Sequence, residues 1–326
     1  MSATAPTLTT SVGTRAMDFL RRYGIVVVFV ALLVVLTATL PQFRTAENLR
    51  NILQQNAVIG IIACAMTFAI ISGGFDLSVG AGAALASVVG ARLMIEAGIP
   101  LGIAGALFAG LALGLLNGFL IAYAGVNPFV ATLGTATVVR GLIYVSTNAT
   151  PFFGVPMSFT VVGLGRTGPL PNATWIFLAV TLTLAFVLHQ TRFGHYVYAI
   201  GGNIVAAAEM GIDVRRVKLA VYALVGASAA VSGIILTGQT ASGQPQAALN
   251  YELAAITAVI VGGASLGGGR GGMAGTILGV FLLGLVSNAL NLYGVSAFWQ
   301  PVATGTILVL AVGVDSYSRR SVFAWR

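Results

Sequence analysis

The chain has 326 residues, of which 57% are hydrophobic and 7% are charged, with a mean hydropathy of +0.96 and a formal net charge of +8. Soluble domains carry roughly 25% charged residues, so a water-soluble fold of this sequence would expose large apolar patches and is excluded. The basic residues are scattered at loop ends without an aromatic platform, which argues against a nucleic-acid partner and leaves membrane lipid as the surrounding medium.

The apolar residues form ten segments long enough to be read as membrane spans, because a span needs about 20 apolar residues. We therefore predict an all-α membrane protein with one polytopic bundle over residues 21–318, flanked by a disordered cytoplasmic tail at 1–20 and a second cytoplasmic tail at 319–326. The ten predicted spans cover residues 24–40, 53–71, 77–95, 101–123, 129–147, 173–189, 218–238, 252–266, 272–292 and 297–314.

An even number of spans places both termini on one side, and the distribution of basic residues indicates which side. About 11 of the 16 Lys and Arg residues fall on the side of the termini, and positive charge stays cytoplasmic. We therefore expect cytoplasmic termini, a cytoplasmic loop at 190–217 and an external loop at 148–172.

The stretch ISGGFDLSVG, residues 71–80, places Asp76 between two apolar segments and behind Gly73 and Gly74. Glycine pairs favour non-helical backbone, which at membrane depth is tolerated where it is buried in protein or lines water. Asp76 then either caps the third span or pairs with an arginine on another helix, or it forms a proton or cation site.

A weak internal repeat relates GGFDLSVGAG, starting at residue 73, to GGASLGGGRG, starting at residue 262. In this alignment Gly73 and Gly74 match Gly262 and Gly263, and we expect all four glycines to be structural. Transporters are often built from two related halves. Most of the matches are glycines in a glycine-rich chain, so chance similarity also explains them.

Arg140 lies inside the fifth predicted span, and Asn127 and Pro128 mark where that span begins. A charge at this depth is costly unless it is paired or hydrated. Arg140 therefore either bonds to neighbouring helices or lines and gates a path.

The loop at 190–217 contains a short helical pattern from Ile204 to Met210. Asn203 is a good N-cap for it and Gly211 is a good stop. A helix of this length is unstable alone in water and must dock on this chain or on a partner.

Several chemical functions have no motif in the chain. It lacks the G-x-x-x-x-G-K-[ST] pattern of P-loop ATPases, and Lys218 is its one lysine. A single cysteine, Cys64, and two histidines support neither a disulfide framework nor a metal cluster. We expect no catalytic residue, cofactor or metal here, which leaves transport or scaffolding.

Four stretches in this order resemble one family over residues 46–315: ISGGFDLSVG, VNPFVATLGTATVVRGL, RFGHYVYAIGGNIVAAAEMGIDVRRVK and YELAAITAVIVGGASLGGGRGGMAGTILG. The chain resembles the permease subunit of bacterial ABC importers of the ribose, xylose and galactose type, within the superfamily that also includes branched-chain amino-acid permeases. It departs from many relatives at His195, where they have an arginine.

This resemblance implies a type II ABC importer fold in the bacterial inner membrane and import of a pentose or hexose. The implied partners are an ABC ATP-binding subunit that holds ATP and Mg, a periplasmic or lipid-anchored sugar-binding protein, and a second permease copy, identical or related. It makes the short cytoplasmic helix the coupling helix, formed by Asn203, Ala206, Ala207, Ala208, Glu209, Met210 and Gly211. A branched-chain amino-acid permease is one alternative, and an ion-coupled transporter using Asp76 is another.

Sugar hydroxyls need both donors and acceptors, and asparagine supplies both. We therefore expect the path or its gate to be lined by polar side chains within the spans, although such residues also join helices to one another. The predicted path residues are Asn56, Asp76, Asn117, Asn127, Thr132, Arg140, Asn288 and Asn291.

Overall fold

The structure is a computed structural model that describes residues 12–296 and 298–323, and its side chains from residue 24 to residue 313 apart from Ala297. It is a helical bundle, as predicted. The helices are α1 (Val12–Thr39), α2 (Ala46–Ile71), α3 (Val79–Ala97), α4 (Ile99–Ala122), α5 (Pro128–Thr147), α6 (Thr160–Gly163), α7 (Asn172–Gln190), α8 (Arg192–Gly202), α9 (Ile204–Glu209), α10 (Val214–Thr240), α11 (Tyr251–Val261), α12 (Met273–Leu292) and α13 (Trp299–Phe323).

Short 3-10 turns and two-residue strands lie in the loops between these helices. Two 3-10 turns lie at Pro41–Arg44 and Met157–Phe159. The strands β1 (Phe152–Phe153) and β4 (Ser242–Gly243) pair antiparallel, as do β2 (Arg166–Thr167) and β3 (Leu170–Pro171).

Seven helices in the described part of the chain are long and apolar enough to cross a membrane, namely α2, α3, α4, α5, α7, α10 and α12. The other three predicted spans correspond to shorter apolar stretches at Gly24–Thr39, Tyr251–Val261 and Trp299–Gly313. The chain is therefore a multi-pass membrane protein with ten apolar helical segments, in agreement with the predicted architecture.

The helices at both ends extend beyond the predicted spans. Helix α1 begins at Val12 and α13 ends at Phe323, so residues 12–20 and 319–323, which we expected in tails, are helical. Helix propagation costs little once a helix has formed, which lets each apolar helix continue into its flanking segment. The rest of the predicted tails, residues 1–11 and 324–326, lies outside the described residues.

Helix α2 is the centre of the bundle. Its residues from Ala57 to Ile71 are almost all buried, and it packs against α7, α10, α11 and α12. Helices α4 and α10 also approach closely, since a Cβ at Gly110 or Gly114 would meet the α10 backbone near Gly226. Small residues permit this packing in a membrane, where helix association depends on close contact.

The eighth predicted span, residues 252–266, is a broken helix rather than a continuous one. Helix α11 has 11 residues and so rises about 16 Å, roughly half of the hydrocarbon thickness. It ends at Val261 because the backbone turns at Gly263, where φ is +93°. The chain then continues without helix to Gly269, whose N–H donates to the Ile71 carbonyl at the end of α2.

The ends of α2 and α11 have the same geometry. Each has a glycine with positive φ, Gly73 (+82°) or Gly263 (+93°), which donates its N–H to a carbonyl three residues back. The residue after that glycine donates to a carbonyl five residues back, as in a Schellman-type end. The equivalence therefore pairs Gly73 with Gly263, which corrects by one residue the sequence alignment that paired it with Gly262.

Candidate functional site

The short helix predicted between Asn203 and Gly211 is present as α9. The Asn203 side-chain oxygen accepts hydrogen bonds from the N–H groups of Val205 and Ala206, at 3.0 and 3.1 Å. The helix stops at Glu209 and Met210, and Gly211 follows with φ of +83°. Local capping chemistry therefore sets both ends of this element.

Helix α9 leaves most of its apolar surface uncovered. Ala207 faces the bundle and is buried, whereas Ala206 is half-buried and Ala208 and Glu209 are exposed. Met210 is 83% exposed. A depression of about 470 Å³ lies beside the helix, between it and the ends of α4 and α10. Exposed apolar patches of this kind are typical of protein–protein interaction sites.

The helix before α9 is fixed to two other elements by close backbone contact. A Cβ at Gly201 would overlap the Ile71 carbonyl oxygen and would lie 2.5 Å from the Gly269 nitrogen. The Gly269 N–H donates to the Ile71 carbonyl at 2.8 Å. We call Ile71, Gly201 and Gly269 the glycine junction, because it joins the end of α8 to the end of α2 and to the segment after α11.

Two side chains of α8 reinforce the glycine junction. The Tyr198 hydroxyl donates to the Gly271 carbonyl at 2.8 Å, and burial raises the pKa of this phenol, so it stays protonated and able to donate. Phe193 stacks on Phe68 of α2, with 6.1 Å between the ring centroids. Helix α8 therefore contacts both α2 and the segment after α11 through side chains as well as backbone.

Asp76 is buried and caps the turn that leads into α3. Its Oδ1 accepts hydrogen bonds from the N–H and the hydroxyl of Ser78, at 2.7 and 2.6 Å. Asn117 of α4 donates to the Ser78 hydroxyl and accepts from the Thr135 hydroxyl of α5, both at 2.7 Å. This chain of four side chains ties the broken segment after α2 to α4 and α5.

The surroundings of Asp76 distinguish the capping role from the arginine pair that the sequence left open. Among the side chains that the structure describes, the ion pairs are Arg92 with Glu96 and Arg216 with Asp213, so the predicted arginine partner of Asp76 is absent there. The described residues also contain no group of three or more potential metal ligands. The hydrogen bonds of Asp76 follow the capping alternative.

The Ser78 and Thr135 members of this network were not among the predicted path residues. Ser78 had a usable signal, because an acid two residues before a serine is the pattern of an Asx turn. Thr135 had none, since only the packing of α5 on α4 brings it to Asn117.

Arg140 bonds to the loop that precedes α11. Its Nη1 donates to the carbonyls of Pro245 and Ala247, at 3.0 Å each. The guanidinium thus satisfies backbone acceptors in a loop that has no regular structure, and it holds the start of the broken helix in place. This contact follows the inter-element alternative for Arg140.

Two further predicted path residues serve their own helix, α5. The Asn127 side chain accepts from the Phe129 N–H at 2.9 Å as an N-cap. The Thr132 hydroxyl donates to the Pro128 carbonyl at 2.8 Å. Neither side chain lines one of the cavities described below.

The two predicted asparagines of α12 join helices. Asn288 exchanges hydrogen bonds with Asn48 of α2, at 2.7 and 3.1 Å. Asn291 accepts from the Gln300 amide of α13 at 3.0 Å. Both contacts are the helix-joining use of asparagine that the sequence left open.

Asn56 is the predicted path residue that lines a large cavity. A partly open cavity of about 510 Å³ lies between α2, α11, α12 and α13, at the end of α2 that is distant from the glycine junction. The eight predicted path residues therefore do not converge on one site. Asp76 and Asn117 meet in one network, and Asn56 faces the cavity.

The four predicted structural glycines have two different roles. Gly73 and Gly263 adopt positive φ with open space around them, so they are needed for the backbone turn. Gly74 lies against the Tyr222 hydroxyl, and Gly262 lies against the Gly275 carbonyl, so these two are needed for close packing.

Comparison with known proteins gives a consistent result. Residues 48–312 match the model of a family described as branched-chain amino acid transport system / permease component. The ribose import permease protein RbsC of Escherichia coli (strain K12) is 40% identical over 295 residues, which cover 89% of this chain and 92% of that protein. RbsC of Bacillus subtilis (strain 168) is 42% identical over 294 residues, covering 87% and 89%. The L-arabinose transport system permease protein AraH of E. coli K12 is 36% identical over 301 residues, covering 92% of each chain. No solved structure gives a significant match.

Proposed function

We propose, from the premise that this chain belongs to the branched-chain amino acid transport system / permease component family, that it is the membrane permease of an ATP-driven importer of a pentose or hexose. Relatives with 36–42% identity are named for import of ribose or L-arabinose, and both are pentoses. The single observation that carries the proposal is the exposed, capped helix α9, which follows the α8 residue Gly201 of the glycine junction.

The proposed partners follow from two features of the chain, the missing P-loop motif and the exposed apolar surface of α9. It has no P-loop motif, so ATP and Mg are bound by a separate ABC subunit. That subunit docks on α9, where Met210 and Val205 expose apolar surface. A periplasmic or lipid-anchored sugar-binding protein delivers the sugar on the other side of the inner membrane. A second permease copy, identical or related, completes the membrane part, and both termini lie in the cytoplasm.

Coupling then has a structural route. ATP binding closes the ATPase subunits and moves α9 with them. Because Gly201, in the last turn of α8, lies against Ile71 and Gly269, this movement reaches α2 and the segment that follows α11. No ion gradient enters the cycle, and the chain needs few charges within the membrane.

Co-purification from the native membrane tests this function. The chain is extracted in mild detergent, the co-purifying proteins are identified, and ATPase activity is measured with and without ribose, arabinose and candidate binding proteins. We expect an ABC ATPase to co-purify and a sugar-binding protein to stimulate hydrolysis. A stimulating protein that responds to leucine instead would favour the branched-chain amino-acid alternative, which the family description supports.

The variant Met210→Ala tests the docking surface directly. Met210 is 83% exposed, so its truncation removes contact area for a partner while it leaves the fold intact. We expect weaker ATPase co-purification and lower transport per ATP hydrolysed. Met157→Ala is the matched control, because Met157 is 74% exposed in the 148–172 loop. Equal co-purification by both variants would contradict docking on α9.

A further inference from the structure

The cavity of about 510 Å³ lies where five elements meet. It is walled by α2 near Gln55, by the end of α10 at Gln239, by α11, by α12 near Ser287, and by α13 near Thr304. Its volume is within the range of roughly 300–1,000 Å³ that small-molecule sites occupy. None of the residues named here is part of the coupling helix or the Asp76 network.

The polar groups of this cavity are available to a ligand. Among the described residues, the side chains of Gln55, Gln239, Ser287 and Thr304 make no hydrogen bond within the chain. Amides and hydroxyls of this kind both donate and accept. Such groups match the hydroxyls of a sugar, and a purely apolar ligand would leave them unpaired.

Asn56 adds a buried polar group that points into the cavity. It is 6% exposed and donates from Nδ2 to the Ile52 carbonyl at 2.7 Å. Its Oδ1 has no hydrogen-bond partner within the described part of the chain. This oxygen also retains some exposed surface, because the one fully buried side-chain polar atom without a hydrogen bond in that part is Thr174 Oγ1. Gly284 leaves the room for this amide, because a Cβ at that position would overlap it.

Helix α11 connects the cavity to the glycine junction. Helix α11 lines the cavity with residues from Tyr251 to Thr257, and the chain then turns at Gly263 and reaches the junction at Gly269. Along α2, Gln55 and Ile71 are 16 residues apart, about 24 Å at the rise of an α-helix. A movement at the junction therefore reaches a wall of the cavity through one short broken segment.

We propose that this cavity is a sugar-binding site within a single permease subunit, with Asn56, Gln239, Ser287 and Thr304 as its hydrogen-bonding groups and α11 as its movable wall. The proposal rests on the proposed function, because it assigns the place where the imported monosaccharide is held.

Filling the cavity with one large side chain tests the proposal. Thr304→Trp places an indole in the cavity, whereas Thr306→Trp changes the same residue type on α13 at an exposed position that does not line it. In proteoliposomes with the ATPase and the binding protein, we expect Thr304→Trp to lower the initial uptake of labelled ribose or arabinose by about tenfold or more. Stimulated ATP hydrolysis should persist, and Thr306→Trp should stay within about twofold of the unmodified chain.

Thiol labelling gives a second measurement that does not depend on transport by an altered cavity. The natural cysteine Cys64 is buried, so the unmodified chain supplies a low background. In Ser287→Cys, a small water-soluble thiol reagent should label the cavity, and D-ribose or L-arabinose should slow that labelling. L-leucine serves as the unrelated solute.

The outcomes separate this site from the proposed function. Absence of ATP-dependent sugar uptake by the unmodified complex would remove the proposed function and this site with it. Normal uptake by Thr304→Trp, or labelling of Ser287→Cys that neither sugar slows, would overturn the site while the importer function stands.

Discussion

At the residue scale, Asp76 shows how one position in the sequence supports different roles until its partners are known. The motif around it placed an acid between two apolar segments, and the structure surrounds that acid with hydrogen-bond donors from Ser78. Sequence reasoning could predict a cap because the donor lies two residues away. It could not predict the extension to Asn117 and Thr135, because those residues come from other helices.

Substitutions of Asp76 distinguish a capping role from an ionic one. Asp76→Asn keeps a side-chain oxygen that accepts from Ser78, so we expect near-normal uptake and thermal stability. Asp76→Ala leaves two buried donors without an acceptor, which costs about 1–3 kcal/mol per unsatisfied group and should lower the melting temperature. Loss of transport in Asp76→Asn with unchanged melting temperature would show that the charge itself is needed.

The asparagines illustrate why site prediction from sequence was incomplete. Asn127 caps a helix, Asn288 pairs with Asn48, and Asn56 faces a cavity, although all three were predicted to line the path for the same chemical reason. An amide suits a cap, an inter-helix bond and a sugar equally well. Only the three-dimensional neighbours distinguish these uses, and only the packing of the helices brings Gln239, Ser287 and Thr304 to the cavity beside Asn56.

At the scale of elements, helix ends that are set by neighbouring residues were predicted well, whereas a helix end that involves residues distant in the sequence was not. Helix α9 was predicted nearly residue by residue, because its N-cap at Asn203 and its stop at Gly211 are local. Helix α11 was predicted too long, because an apolar run does not reveal where a helix breaks. Its break at Gly263 became clear from the backbone and from the bond between Gly269 and Ile71.

The close contact of Gly201 with the end of α2 predicts the effect of adding a side chain at the end of α8. In Gly201→Ala, the new Cβ overlaps the Ile71 carbonyl, so α8 must move away from α2. We expect ATP hydrolysis to continue with uptake reduced by about tenfold, together with a lower melting temperature of the purified complex. ATP hydrolysis and uptake are measured in the reconstituted complex.

The adjacent residue provides the matched control for this change. Gly202 has no neighbouring atom within 4 Å of a Cβ built on it. Gly202→Ala should therefore behave as the unmodified chain in coupling and in melting temperature. If Gly201→Ala also transports normally, the junction does not carry the coupling movement.

At the scale of the whole molecule, the number and nature of the apolar segments could be predicted from hydropathy. What could not be predicted is the form of the eighth segment, which is an 11-residue helix followed by a glycine-rich stretch. The shared glycines of the two segments were visible in the sequence, but the register in which they correspond needed the geometry of the two helix ends. The structure thus has an exposed apolar helix at one end, a cavity at the other, and a broken segment between them.

We infer that ATP, and not an ion gradient, drives sugar through this chain. The most direct measurement is accumulation of labelled ribose or arabinose by proteoliposomes that contain the purified complex and its binding protein. We expect accumulation that requires ATP on the side of α9 and persists when ionophores collapse all ion gradients. Accumulation that proceeds without ATP and stops with the ionophores would contradict it.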